Sequence, residues 1–296
     1  MDKVTYNGWK NCVRLANRDI ELIVTTAVGP RVARLGFIGE RNLFAEIPGQ
    51  QGGSGESEWM IRGGHRFWIA PEQKPMTYEL DNSPIAVEEI AGGVRTLQPV
   101  GALSGCAKRM DITLDANSNR IHVLHTLTNH GERSIHIAPW ALSVMAPDGM
   151  AIIPRPAFIP HTDRVLHNQE WSLWGYTDLT DPRWSLGQKY LFFRQDRHCG
   201  PSKLGIAHRE GWVGYQLGEF LFVKHFDFDE TAVYPDGGVN FETFSNEEIL
   251  ELETLGGLID LAPETTVSLT ETWDLHRSTP TVTTEAEADR WVKSRV

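Results

Sequence analysis

Ile121-His122-Val123-Leu124-His125-Thr126-Leu127 places Val123, His125 and Leu127 on one face if the chain is extended, and Asn129-His130-Gly131-Glu132 then turns it into Ile135-His136-Ile137-Ala138-Pro139-Trp140. A period of two, stopped by turn residues and resumed, is the signature of β-strands rather than of a 3.6-residue helix. The same reading extends outward in both directions. Ile20 to Thr26 is a β-branched run that stops at Gly29-Pro30, and Arg31 to Ile38 follows it. Asp111 to Leu114, Lys189 to Phe193, Trp212 to Gln216, Glu219 to Phe226, Asn240 to Phe244, Ile249 to Thr254 and Thr266 to Leu275 read as strands too. Asp115-Ala116-Asn117, Pro147-Asp148-Gly149 and Pro235-Asp236-Gly237-Gly238 punctuate them. Many short strands at regular spacing imply an all-β sandwich or barrel, here one domain over residues 1–296. Only the C-terminus reads as helical: Thr283 or Thr284 can cap a helix from Glu285 to Arg295, acidic at its start and basic at its end.

Two segments carry no strand pattern. Gly49 to Glu58 is a polar, glycine-rich loop, and Phe158 to Trp184 is irregular but holds Trp171, Trp174 and Trp184. Loops on a β scaffold commonly carry function.

Composition narrows the possible partners. The 39 acidic and 28 basic residues leave a net charge of −11, which argues against tracking phosphates along a nucleic acid. Cys12, Cys106 and Cys199 are odd in number and form no CxxC pair, so neither a disulfide framework nor a zinc knuckle is encoded. No apolar run is long enough to span a bilayer, and the N-terminus lacks a signal-peptide pattern. The expectation is a cytoplasmic protein without a membrane partner, its oligomeric state left open. His122 and His125, three apart on a strand, point to opposite faces and do not make a ligand pair, so no metal and no cofactor are expected. Ten tryptophans are many for this length. Most serve packing, and two or three are expected to stack on sugar rings.

Four polar clusters concentrate the chemistry. Trp59 to Glu72 brings imidazole, guanidinium, indole and carboxylate groups together after Gly63-Gly64, which admit close backbone approach. Asp181-Pro182-Arg183-Trp184 forms the second, and Lys224-His225 with Tyr234 to Asn240 the third. The fourth is Leu250 to Gly257, with Glu251 and Glu253 on one face and Leu250, Leu252 and Thr254 on the other. By pattern alone, that pair is an ordinary solvent-facing carboxylate ladder.

The run Leu252-Glu253-Thr254, then Leu261-Ala262-Pro263-Glu264 and Thr270-Glu271-Thr272-Trp273-Asp274-Leu275, resembles the C-terminal signature of the galactose mutarotase (aldose 1-epimerase) superfamily. The opening strand from Leu15 to Val24 and Val28-Gly29-Pro30-Arg31-Val32-Ala33-Arg34-Leu35 resemble its start. Gly63 to Glu72, Ala138 to Pro147, Asp181 to Trp184 and Leu250 to Gly256 are similar to an uncharacterised bacterial group within it, domain-of-unknown-function family 4380. The resemblance implies a β-supersandwich of two large antiparallel sheets with a sugar groove on one concave face. It also implies aldose 1-epimerase-like chemistry, in which a glutamate takes the anomeric proton while a histidine protonates the ring oxygen. Glu253 matches the base. At about the position of the family's histidine this chain has Trp140, which cannot donate a catalytic proton at neutral pH. Of His65, His136 and His161, His65 is the preferred replacement, since glycine and arginine surround it. Arg66, Glu72, Trp140, Asp181, Trp184, Lys224 and Asp236 are expected to bind a small carbohydrate. A sugar-binding protein, or a lyase or hydrolase on the same fold, is the alternative.

Overall fold

The Asn129 reversal links two long strands, Arg120–Asn129 and Ile135–Met145, but they do not pair with each other. The turn carries the chain from one sheet to another. Asn129 holds it there: its amide donates to the carbonyls of Arg133 and Leu261, and its Oδ1 accepts the Gly131 N–H. The protein is described by a computed structural model covering residues 2–296.

One sheet has eleven strands and the other ten, all paired antiparallel. The centre of the first runs in the order Arg31–Phe37, Gly64–Ala70, Ile135–Met145, Leu250–Leu255, Phe241–Ser245, Ser202–Ile206. The second is centred on Trp212–Leu217, Phe220–Phe226, Thr266–His276 and Arg120–Asn129. The inward faces of both sheets supply one core, in which Phe67, Ala141 and Leu252 meet Val123, Phe222 and Trp273. Burying a side chain of this size contributes about 1.5–3 kcal/mol, so period-two alternation over this many strands commits the chain to a sandwich.

Most of the stretches read as strands begin and end within two residues of an observed strand, whereas the one read from Asp111 starts at Cys106 and the one read to Trp140 runs on to Met145. Other strands lie where little alternation shows: Asp2–Tyr6, Trp9–Ala16, Ala86–Ile90 and Gly93–Leu97. The Phe158–Trp184 segment corrects the reading given above. It contains the short strand Trp171–Leu173, paired with Ser202–Ile206, and ends on Trp184–Leu186, paired with Tyr190–Arg194. The C-terminal helix is shorter than expected, Glu285–Trp291, and continues as a 3₁₀ turn, Lys293–Arg295. Thr284 caps it in a reciprocal box with Glu287. No helix among the described residues is long and apolar enough to cross a membrane. All three cysteines are free.

Candidate functional site

The outward face of the first sheet builds a groove by parity. On Gly64–Ala70 the even positions Arg66 and Trp68 point away from the core, as Trp140 and Leu142 do on the next strand. Glu251 and Glu253, then Glu242 and Phe244, then Lys203 follow across the sheet. Register sets their mutual positions. Arg66, Leu142, Glu253 and Glu242 are successive cross-strand partners, and Glu242 faces Gly205. A Cβ at Gly205 would lie 3.3 Å from the Trp174 ring, so a glycine there lets that indole close over the sheet. Gly63 does comparable work at the other end. It adopts φ +88°, and a Cβ on it would come within 2.0 Å of the Ala45 carbonyl oxygen.

Two adjoining cavities, about 210 and 230 Å³, occupy this face and share Glu72, Trp140 and Lys203 as lining. Trp68 stands 5.3 Å from Trp140 and 4.8 Å from Trp59, ring centre to ring centre, and Tyr78 packs edge-on against Trp59 and Trp68. The Arg66 guanidinium lies 4.3 Å over the Trp68 ring and donates to Glu251 Oε1 at 2.9 Å. Trp68 and Trp140 are almost wholly buried and form the floor, whereas Trp59, Tyr78, Trp174 and Tyr176 keep ring surface exposed. These partly exposed rings offer apolar faces on which a ligand could pack. A larger cavity, about 320 Å³, lies beside the C-terminal helix, where Tyr190 and Lys189 both donate to Asp289.

At the groove floor Glu253 is fully buried. Its Oε2 accepts the Trp140 indole N–H and the Lys203 ammonium, both at 3.1 Å. Lys203 Nζ lies 2.6 Å from Glu242 Oε2 as well. One cation therefore serves two carboxylates, and Oε1 of each has no partner within the protein. Burial raises the pKa of Glu253 above the ordinary carboxylate range; Lys203 opposes that rise and Glu251 adds to it. Glu242 is held well above that range too, by burial first and then by Glu253 against the pull of Lys203. Lys203 stays charged, since the two carboxylates outweigh the cost of its burial.

Of the residues singled out in the sequence, Arg66, Glu72, Trp140, Asp236 and Glu253 come together here. Four others do not. His65 neighbours Arg66 and therefore points the opposite way, into the core, where it contacts His125 and Ser143. Burial, then His125 and Lys224, hold it well below an ordinary histidine pKa, so it is neutral and carries no imidazolium proton to give. Lys224 belongs to the second sheet and is buried against Glu271. Asp181 is committed to Arg183, and Trp184 stacks on Phe193 at 3.6 Å. His136 pairs with Asp260 on an exposed edge, and His161 is exposed on a loop. Neither lines the groove.

Lys203, Glu242, Tyr78, Trp174 and Tyr176 complete the site without having been expected in it, and Trp59 and Trp68 join them from the first polar cluster. For Glu242 a signal existed: Phe241-Glu242-Thr243-Phe244 alternates beside the Glu253 strand. Lys203 lies in a five-residue strand with no alternation to mark it.

His65, His125 and Glu271 bring ligand atoms within 4.8 Å of one another beneath the same strands. Their donors and acceptors close on each other instead. Ser143 can donate to His65 Nδ1, His65 Nε2–H to His125 Nε2 at 2.7 Å, and His125 Nδ1–H to the Leu269 carbonyl. Lys224, Thr254 and Trp273 all donate to Glu271. A cation entering there would have to displace Lys224, so the donor set fits a structural network better than a metal centre.

With 9% identity, 93% of this chain superposes on 98% of a galactose mutarotase-like protein from Clostridium acetobutylicum, at a TM-score of 0.58. This chain has the galactose-mutarotase-like fold. A galactose mutarotase-like protein from Lactobacillus casei gives 0.57 at 11% identity, over 90% of this chain and all of the other. A galactose mutarotase related enzyme from Lactobacillus acidophilus gives 0.55 at 9%, over 92% of this chain and all of the other. No family model and no curated protein matches the chain, so the likeness rests on the fold.

Proposed function

We propose that the groove binds a small sugar and interconverts its anomers, with Glu253 as the base. The observation that carries this reading is the Glu253 carboxylate itself. One of its oxygens is anchored by Trp140 and Lys203, while the other is buried without a partner on the lining of an aromatic groove. A buried acceptor left unmatched costs about 1–3 kcal/mol, and a sugar hydroxyl would relieve that cost. Its raised pKa keeps Glu253 basic enough to take the anomeric proton, as general base catalysis near neutral pH requires. The lining holds five carboxylates, Glu72, Asp236, Glu242, Glu251 and Glu253, against three cations, Arg66, Lys74 and Lys203. That balance favours an uncharged sugar over a phosphorylated one.

Polarimetry on freshly dissolved anomers of a sugar panel tests the reading. Wild-type protein should accelerate exchange above the spontaneous rate, and Glu253→Gln should lose about 10²–10⁴-fold of that enhancement. Tryptophan fluorescence should show sugar affinity largely kept. A wild-type protein that binds sugars but never speeds exchange would overturn the epimerase reading in favour of a binding protein.

A further inference from the structure

The proposed reaction requires a proton donor, and neither His65 nor Trp140 can act as one. We infer that Glu242 is that donor, working beside Glu253 across the shared Lys203; this rests on the anomer-exchange reading above. Glu242 and Glu253 are directly opposed on neighbouring antiparallel strands and project from the same face. Both are fully buried, and Lys203 supplies the one cation between them. Two carboxylate anions against one ammonium would leave a net buried charge, whereas one proton on the pair makes the trio neutral. The hydrogen bonds decide where that proton sits. Glu253 accepts two donors of good geometry, and Glu242 accepts none beyond its ionic contact with Lys203. The anion is therefore better stabilised on Glu253 and the acid form on Glu242.

The chemistry balances with these two groups alone. Glu253 takes the proton from the anomeric hydroxyl, and the C1–O1 bond becomes a carbonyl. The bond between C1 and the ring oxygen breaks, its electron pair goes to that oxygen, and Glu242 delivers its proton there. The open-chain aldehyde rotates about C1–C2. On reclosure the hydroxyl that was the ring oxygen attacks C1 from the other face and returns its proton to Glu242, while the carbonyl oxygen recovers one from Glu253. The pair holds one proton before, during and after ring opening. Lys203 thus faces one carboxylate anion throughout, with no change of net charge at the floor of the groove.

The pH dependence of exchange separates this role from a structural one. Wild-type rate should rise as Glu253 ionises and fall again as Glu242 loses its proton. Glu242→Gln keeps the shape and removes the acid. It should lower the maximum rate about 10²–10⁴-fold, erase the alkaline fall, and leave sugar affinity within about threefold. Glu242→Asp should recover part of the rate and restore the alkaline fall. Infrared spectra at neutral pH should show a protonated carboxylic acid in wild type that is missing from Glu242→Gln. If wild-type protein catalyses, Glu253→Gln abolishes catalysis, and Glu242→Gln keeps both rate and alkaline limb, the donor assignment is wrong and the epimerase reading stands. If wild-type protein does not catalyse, both fall together. Should Glu242→Gln fail to fold by circular dichroism, the Glu242→Asp profile and the wild-type infrared band decide: an unchanged rate with no alkaline limb, or no band, overturns the assignment.

Discussion

The strand Leu250–Leu255 separates two clusters of buried charge, and they are built on opposite principles. Beneath it Lys224 meets one carboxylate, Glu271, whose oxygens also accept Thr254 and Trp273, and the neighbouring histidines complete one another's hydrogen bonds. Above it Lys203 meets two carboxylates, and each keeps an oxygen with no partner. The inner cluster is satisfied and out of reach, so its contribution is to the fold. The outer cluster is incomplete and borders a cavity, and a ligand is what would complete it. Buried charge by itself does not mark a site; unmatched buried charge beside an opening does.

The sharpest way to break this comparison is to strand the inner carboxylate. Lys224→Met leaves Glu271 buried without its cation and should cost about 3–5 kcal/mol, read as a lower denaturant midpoint. Glu253→Gln above the same strand should cost less than that, because Lys203 keeps Glu242 as its partner, while removing the proposed catalysis. A thermal melt series against pH sharpens the contrast through its sign. Glu271 is held below the ordinary carboxylate range because Lys224, His125 and Thr254 outweigh its burial. Its stabilisation is present above that range and is lost as pH falls through the folded pKa. Glu242 and Glu253 are raised, so theirs is present at low pH and is lost as pH rises through the folded pKa values. Glu242→Gln should flatten the alkaline decline, by at most about 1.4 kcal/mol per pH unit for one proton, and leave the acid side unchanged. The smallest effect belongs to the groove wall. Trp174→Ala should weaken sugar binding by about 0.5–1.5 kcal/mol, measured by titration calorimetry, with little change in melting temperature.

How far the sequence discloses all this follows from parity. Alternation tells which residues share a face, so Glu251 and Glu253 together, and Leu252 with Thr254 opposite, were legible. It does not tell whether a polar face meets water, a groove or the second sheet. Glu253 therefore looked like a surface ladder, and Lys224 like a groove residue. Parity could have removed His65, because adjacent strand residues cannot both face the groove and Arg66 does. Trp184 and Trp140 are indistinguishable as letters; only pairing shows that one stacks on Phe193 at a sheet edge and the other lies at the centre of the first sheet. Lys203 and the loop aromatics were hidden because short strands and irregular segments carry too few residues to show a period.

The loop that closes the groove is tied down differently from the floor. Thr177 donates to the Lys203 carbonyl, Ser172 to the Asp236 carbonyl, and a three-residue strand pairs with Ser202–Ile206. Beyond these moorings it exposes Phe158, Val165 and Leu166. The carboxylates and their lysine sit on strands paired on both sides, where a substitution disturbs a whole ladder, whereas Trp174 and Tyr176 ride on a segment that tolerates change. Such a division lets inheritance edit the two separately. On the proposed reading, the ligand preference of this scaffold can be rewritten in one loop while the carboxylates and lysine beneath it stay as they are.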